Sequence, residues 1–148
     1  MLLATDAKWI RDEVAAALGG AGTTITVVNA GAAVVPSVKA QTPDLVVLDL
    51  QIGNMGGMAT CMALRLDESG GRLPRVNVLM LLDRGADVFL AQRSGADGWL
   101  VKPLDSFRLR KAARALMAGG RYEESATVVD PVFAAAEESQ VETGAVSS

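Results

Sequence analysis

The 148-residue sequence predicts an α/β fold with a five-stranded parallel sheet. Three features point there. Strand-like and helix-like stretches alternate five times, and that pattern calls for a parallel sheet whose right-handed crossovers lay helices on both faces. The central stretch, PDLVVLDLQIGNMGG at 43–57, opens on Pro43-Asp44 and runs unbroken through Leu45 to Leu48. An apolar run bounded by turn residues marks a strand buried on both faces. The run ends at Asp49, ahead of a loop holding Gly53, Gly56 and Gly57. A carboxylate thus stands at a strand's carboxyl end, where open α/β sheets form their crevices. Asp49 also reads as a turn residue bonded to nearby backbone, and this stretch alone does not decide between the two.

Residues 2–5, LLAT, make a first strand that ends at Asp6. Ile10, Val14, Ala17 and Leu18 recur at helical spacing, and Gly19-Gly20 stops that helix. Thr24 to Val28 is β-branched and reads as the second strand. Ala32 to Gln41 reads as a helix weakened by Pro36 and its valines. Residues 56–68 form the third helix, Arg75 to Leu82 the fourth strand, Ala86 to Arg93 a short helix and Gly98 to Val101 the fifth strand. The last helix runs from Leu104 to Met117, with Leu109, Ala112, Ala113 and Leu116 on one face and Arg108, Arg110, Lys111 and Arg114 largely on the other.

Charge divides the chain. Residues 1–118 hold 13 basic and 11 acidic residues, whereas 119–148 hold Arg121 against six acids. We therefore expect one domain over 1–118 and an acidic, flexible tail over 119–148, with a short helix from about Pro131 to Glu138. A near-neutral body gives no electrostatic case for direct nucleic-acid binding. No apolar run reaches the roughly 18 residues a membrane span needs, and MLLATDAKWIRDE lacks a basic leader. The single cysteine, Cys61, reads as core and fits a reducing, cytoplasmic setting. Histidine is absent, which removes His-based acid/base catalysis, His metal sites and Ser-His or Cys-His pairs. GNMGG lacks the spacing of a phosphate-binding fingerprint, and Met55, Met58 and Met62 read as filler.

An acid ending strand one, an aspartate ending strand three and Lys102-Pro103 after strand five together resemble the receiver domain of two-component response regulators. The segments PDLVVLDLQIGNMGGM and SGADGWLVKPLD carry that resemblance, which covers about residues 1–118. It implies the flavodoxin-like strand order 2-1-3-4-5 and a signalling protein that is not an enzyme. It implies that Asp49 is the phosphoacceptor, that Lys102 stabilises the phosphoryl group, and that Asp6, Asp49 and the Gln51 backbone carbonyl hold Mg²⁺. A cis Lys102-Pro103 bond is also implied. Partners would be a sensor histidine kinase or other phosphodonor and a downstream protein on the face of helix four, strand five and helix five, with homodimerisation a further expectation.

The sequence departs from the family at several positions. Thr5 takes the place of the first acid of the pair, so the metal site loses a charge. Leu82 replaces the hydroxyl residue that ends strand four, and Gly53 replaces the usual loop proline. Trp99 stands at the switch aromatic, either held in one orientation or simply packing. Two functions follow: a stand-alone response regulator in a phosphorelay, phosphorylated on Asp49, or a pseudo-receiver working as an interaction module without phosphorylation.

Overall fold

The computed structural model describes residues 1–124. Its elements are β1 (Leu2–Ala4), α1 (Lys8–Leu18), β2 (Thr26–Val28), α2 (Val34–Ala40), β3 (Val46–Asp49), α3 (Gly57–Ser69), β4 (Val78–Leu82), α4 (Val88–Ser94), β5 (Gly98–Val101) and α5 (Ser106–Met117). All strand pairings are parallel, in the order β2-β1-β3-β4-β5. Leu48 lies between Ala4 and Met80, and Asp49 lies beside Leu81. The expected fold class and strand order are those observed.

Side chains alternate across each strand and feed two cores. Leu3, Val47, Leu79, Leu81 and Leu100 pack with Ile10 and Val14 of α1 and Leu109, Ala112, Ala113 and Leu116 of α5. On the other face Leu2, Val46, Leu48, Met80, Leu82 and Trp99 pack with Val34 and Val38 of α2, Cys61 and Leu64 of α3 and Ala91 of α4. Burial pushes the Cys61 thiol above its ordinary value, the state of an inert core cysteine. The methionines divide: Met58 packs on the core, whereas Met55 and Met62 are exposed.

Boundaries moved for identifiable reasons. α2 and α4 are each entered through a 3₁₀ turn, Gly31–Ala33 and Gly85–Asp87. Pro36 then falls in the first turn of α2, where a missing N–H removes no helical bond. β4 begins at Val78 rather than Arg75, because Arg75 turns to the Asp97 carboxylate. α5 begins at Ser106 because the Asp105 carboxylate caps it, accepting from the Arg108 N–H at 2.8 Å.

After α5 the chain returns along β5, where Tyr122 pairs in parallel with Gly98. The remainder of the expected tail, with the short helix from about Pro131 to Glu138, lies outside the described residues.

Candidate functional site

β1 and β3 are adjacent and in register, which brings the residues following Ala4 and Leu48 together at the carboxyl edge of the sheet. Asp49 is 2 % exposed there. Its Oδ2 accepts from the Thr5 hydroxyl at 2.8 Å, and its Oδ1 accepts from the Gln51 N–H at 3.1 Å. The Lys102 ammonium donates to Oδ1 at 2.7 Å. Lys102 arrives from the end of β5, is followed by a cis bond to Pro103, and has a side chain only 10 % exposed. A buried carboxylate survives desolvation when it is paired and hydrogen-bonded, and Asp49 is both.

Thr5 does more than vacate an acid position. Its hydroxyl oxygen also accepts from the Ala7 N–H at 3.1 Å, linking the Asp49 carboxylate to the entrance of α1. Asp6 is exposed and accepts from the Gly53 N–H at 3.2 Å, which ties the loop after β3 to the loop after β1. An added Cβ at Gly53 would stand 3.3 Å from the Asp6 carboxylate, so glycine leaves room for that bond. The loop is anchored again by the Gly31 and Ala32 N–H groups, which donate to the Gly53 and Asn54 carbonyls at 3.0 and 2.9 Å. Asn54 and Met55 both have positive φ, 53° and 76°. Met55 pays a conformational cost for that geometry.

The Asp83 carboxylate, which sequence reasoning left without a role, also reaches this site. Lys102 donates to its Oδ1 at 3.0 Å, and its Oδ2 is buried without a hydrogen-bond partner. The neighbouring Arg84 turns to Asp87, at 3.3 Å. No spacing rule would have singled out Asp83, which becomes visible once β4 and β5 are paired. Trp9, half exposed on α1, lies with its ring centroid 5.9 Å from the Lys102 ammonium.

Leu82 is fully buried and Trp99 is 1 % exposed. Both belong to the core cluster on the α3 and α4 side, so Trp99 is not an exposed ring waiting to turn inward. Its indole N–H is already committed, donating to the Glu124 carbonyl at 3.0 Å. Of the residues singled out in the sequence, Asp49, Thr5, Lys102 and the Gln51 backbone are joined directly. Asp6 sits one residue from Thr5 on the neighbouring loop, and Leu82 and Trp99 lie in the core beneath.

Among the described residues no group of three or more His, Cys, Asp or Glu side chains is placed to hold a metal. By donor type, the Asp6 and Asp49 carboxylates and the Gln51 carbonyl expected at a metal are hard oxygen ligands. Such a set fits Mg²⁺, which takes one or two carboxylates and keeps several of its waters.

Comparison with known proteins agrees with this fold. The family model described as response regulator receiver domain matches residues 1–114. The DNA-binding response regulator MtrA of Mycolicibacterium paratuberculosis is 31 % identical over 115 residues, covering 78 % of this chain and 49 % of that protein. The transcriptional regulatory protein CseB of Streptomyces coelicolor is 32 % identical over 119 residues, covering 79 % and 48 %. The chain thus spans about half the length of these curated relatives. Among solved structures, the receiver domain of NtrX from Brucella abortus aligns with a TM-score of 0.65 at 24 % identity, covering 79 % of this chain and 97 % of that one. The chemotaxis response regulator CheY4 of Vibrio cholerae aligns at 0.67 and 24 % identity, covering 76 % and 93 %. Receiver domains generally bind Mg²⁺ at the phosphorylation site, interact with sensor histidine kinases and act as signalling proteins. This chain belongs to the response regulator receiver domain family of two-component signal transduction.

Proposed function

We propose that the chain is a cytoplasmic response regulator receiver that accepts a phosphoryl group on Asp49 and signals through protein contacts. The observation that supports it is the Lys102 ammonium held 2.7 Å from the Asp49 carboxylate at the carboxyl edge of the sheet. In the transfer an Asp49 oxygen attacks the phosphorus of a phosphohistidine or of acetyl phosphate. The bond from phosphorus to the donor's nitrogen or oxygen breaks, and the donor leaves with that electron pair. Charge accumulates on the phosphoryl oxygens, so the acceptor needs fixed cations around it. Lys102 supplies one, exchanging its carboxylate partner for a phosphoryl oxygen. Asp6, Asp49 and the Gln51 carbonyl would hold Mg²⁺, which supplies further positive charge when bound. The Gln51 N–H and the Thr5 hydroxyl orient the carboxylate before transfer.

The partners are a sensor histidine kinase or other phosphodonor and a downstream protein, with homodimerisation a further element of the reading. The DNA binding in the name of MtrA is that protein's, and this chain matches about half of its length. The described body offers protein contact rather than direct nucleic-acid contact, because its basic and acidic residues nearly balance.

Two observations favour the second reading, an interaction module that works without phosphorylation. Leu82 offers no hydroxyl to a phosphoryl group, and Trp99 is already buried with its N–H bonded. Intact mass after incubation with acetyl phosphate, with and without Mg²⁺, separates the two. The regulator reading expects a Mg²⁺-dependent gain of one phosphoryl group that Asp49→Asn abolishes. A gain that persists in Asp49→Asn would put the acceptor elsewhere. No gain, from acetyl phosphate or from a phosphodonor kinase, would leave the interaction module.

A further inference from the structure

We propose that the outer edge of β5 is a peptide-docking edge, filled in cis by residues 121–124 and suited in trans to an extended segment of a partner protein that carries a carboxylate. The inference does not rest on phosphorylation of Asp49.

An edge strand exposes every second N–H. In β5 these belong to Trp99 and Val101, and both are taken by the returning chain. The Trp99 N–H donates to the Tyr122 carbonyl at 2.9 Å, and the Val101 N–H donates to the Glu124 Oε1 at 2.8 Å. A side-chain carboxylate thus stands where a neighbouring strand would offer a carbonyl. Arg108 closes on it, donating to both Glu124 oxygens at 2.6 and 2.8 Å, and also donates to the Val101 and Pro103 carbonyls at 2.9 Å each. The bidentate geometry selects a carboxylate over a neutral amide. The Trp99 indole N–H takes the Glu124 carbonyl, and the Arg121 guanidinium lies 5.9 Å from the centre of the Trp99 ring.

The edge is also shaped for close backbone approach. Gly98 faces Tyr122, and a Cβ added there would stand 2.7 Å from the Tyr122 carbonyl oxygen. Backbone pairing carries affinity and one charged notch carries selectivity, which is the logic of strand addition. A partner segment has to displace residues 121–124 first, so the cis segment sets the threshold for docking. Val101 directly precedes Lys102, so occupancy of the edge bears on the strand that delivers that lysine.

The test uses the full chain as native protein, as Glu124→Ala and as Gly98→Ala. Amide hydrogen exchange is followed at Trp99 and Val101, and binding is measured for a synthetic peptide GRYEES, the sequence of residues 120–125. In the native chain both amides are protected. In Glu124→Ala they exchange at least about tenfold faster, while amides of β1 and β3 are unchanged. Glu124→Ala then binds the peptide at least about tenfold more tightly than the native chain does, because the cis competitor has been weakened. A peptide with Gln at the Glu124 position binds Glu124→Ala more weakly. Gly98→Ala releases the same two amides but does not bind the peptide, because its methyl blocks both segments. Unchanged protection of Trp99 and Val101 in Glu124→Ala would overturn the proposal, as would equal peptide binding by Glu124→Ala and native chain. Equal affinity of the Glu and Gln peptides would overturn the carboxylate preference.

Discussion

The Thr5 hydroxyl at 2.8 Å from Asp49 replaces what would otherwise be a second buried negative charge. On the proposed reading, that exchange makes the resting site easier to fold and weaker toward cations, since Mg²⁺ affinity follows the number of facing carboxylates. Thr5→Asp tests the trade at one residue. Without Mg²⁺ the variant should lose about 1 to 3 kcal/mol of stability, because a hydrogen bond becomes a like-charge contact. Adding Mg²⁺ should recover most of that loss and raise the melting temperature of the variant more than that of the native chain. Thermal unfolding at several Mg²⁺ concentrations reads both effects, and equal Mg²⁺ responses would mean that Thr5 does not limit the ion. Asp49 and Lys102 were legible because each is anchored in a motif of fixed spacing. Asp83 was not, since its partner lies 19 residues away on the next strand and only strand pairing makes them neighbours.

The sheet's opposite end is fastened by a second set of charges. The Asp97 carboxylate, just before β5, accepts from the Val78 N–H at 2.8 Å and from Arg65 of α3 at 2.7 Å, and pairs with Arg75. Arg65 also reaches Glu68 at 2.8 Å and the Val76 carbonyl at 2.9 Å. One carboxylate thereby holds the starts of β4 and β5 against α3. Burial alone would push its titration up, but Arg75, the Val78 N–H and Arg65 outweigh burial and hold the carboxyl below its ordinary 3.8. A folded value below the unfolded one means that the contribution is fully present above 3.8 and is lost as pH falls toward the folded value. Asp97→Asn should therefore cost about 3 kcal/mol at neutral pH, leaving two arginines short of a partner. The gap between variant and native chain should close in acid, as urea unfolding at neutral pH, at about pH 5 and at about pH 3 would show. A gap of constant size would mean that shape rather than charge is lost. Element order and type were readable from alternating runs, while the 3₁₀ entries to α2 and α4 were not, because no local pattern distinguishes them from the helix that follows. The pairing of residues 121–124 with β5 escaped for a different reason: RYEE is polar and charged, and what holds it is the open edge of a strand far back in the chain.

Across the whole molecule, parallel order sends β1, β3, β4 and β5 to one edge carrying Thr5, Asp6, Asp49, Asp83 and Lys102. Two of the three acids there, Asp49 and Asp83, share a single lysine, whose ammonium touches both. The fold is thus most exposed to the loss of that one cation. Lys102→Ala strands a carboxylate that is 2 % exposed, and stranding a buried charge costs about 3 to 5 kcal/mol. Asp49→Asn alone should cost less, because no buried charge is stranded, the amide oxygen keeps one of the two bonds that Thr5 and Gln51 donate to separate oxygens, and Lys102 retains Asp83. Combining Lys102→Ala with Asp49→Asn should restore at least about half of the loss, since the stranded charge is then gone. Urea unfolding of the four chains gives the coupling directly. If the two losses instead add, the pair contributes nothing as a pair, and Lys102 acts on stability through Asp83 and packing. The expected coupling would mean that one contact serves two ends: Lys102 neutralises the acceptor in the resting fold, and the same charge stands ready where the proposed phosphoryl group would bring more negative charge to the edge.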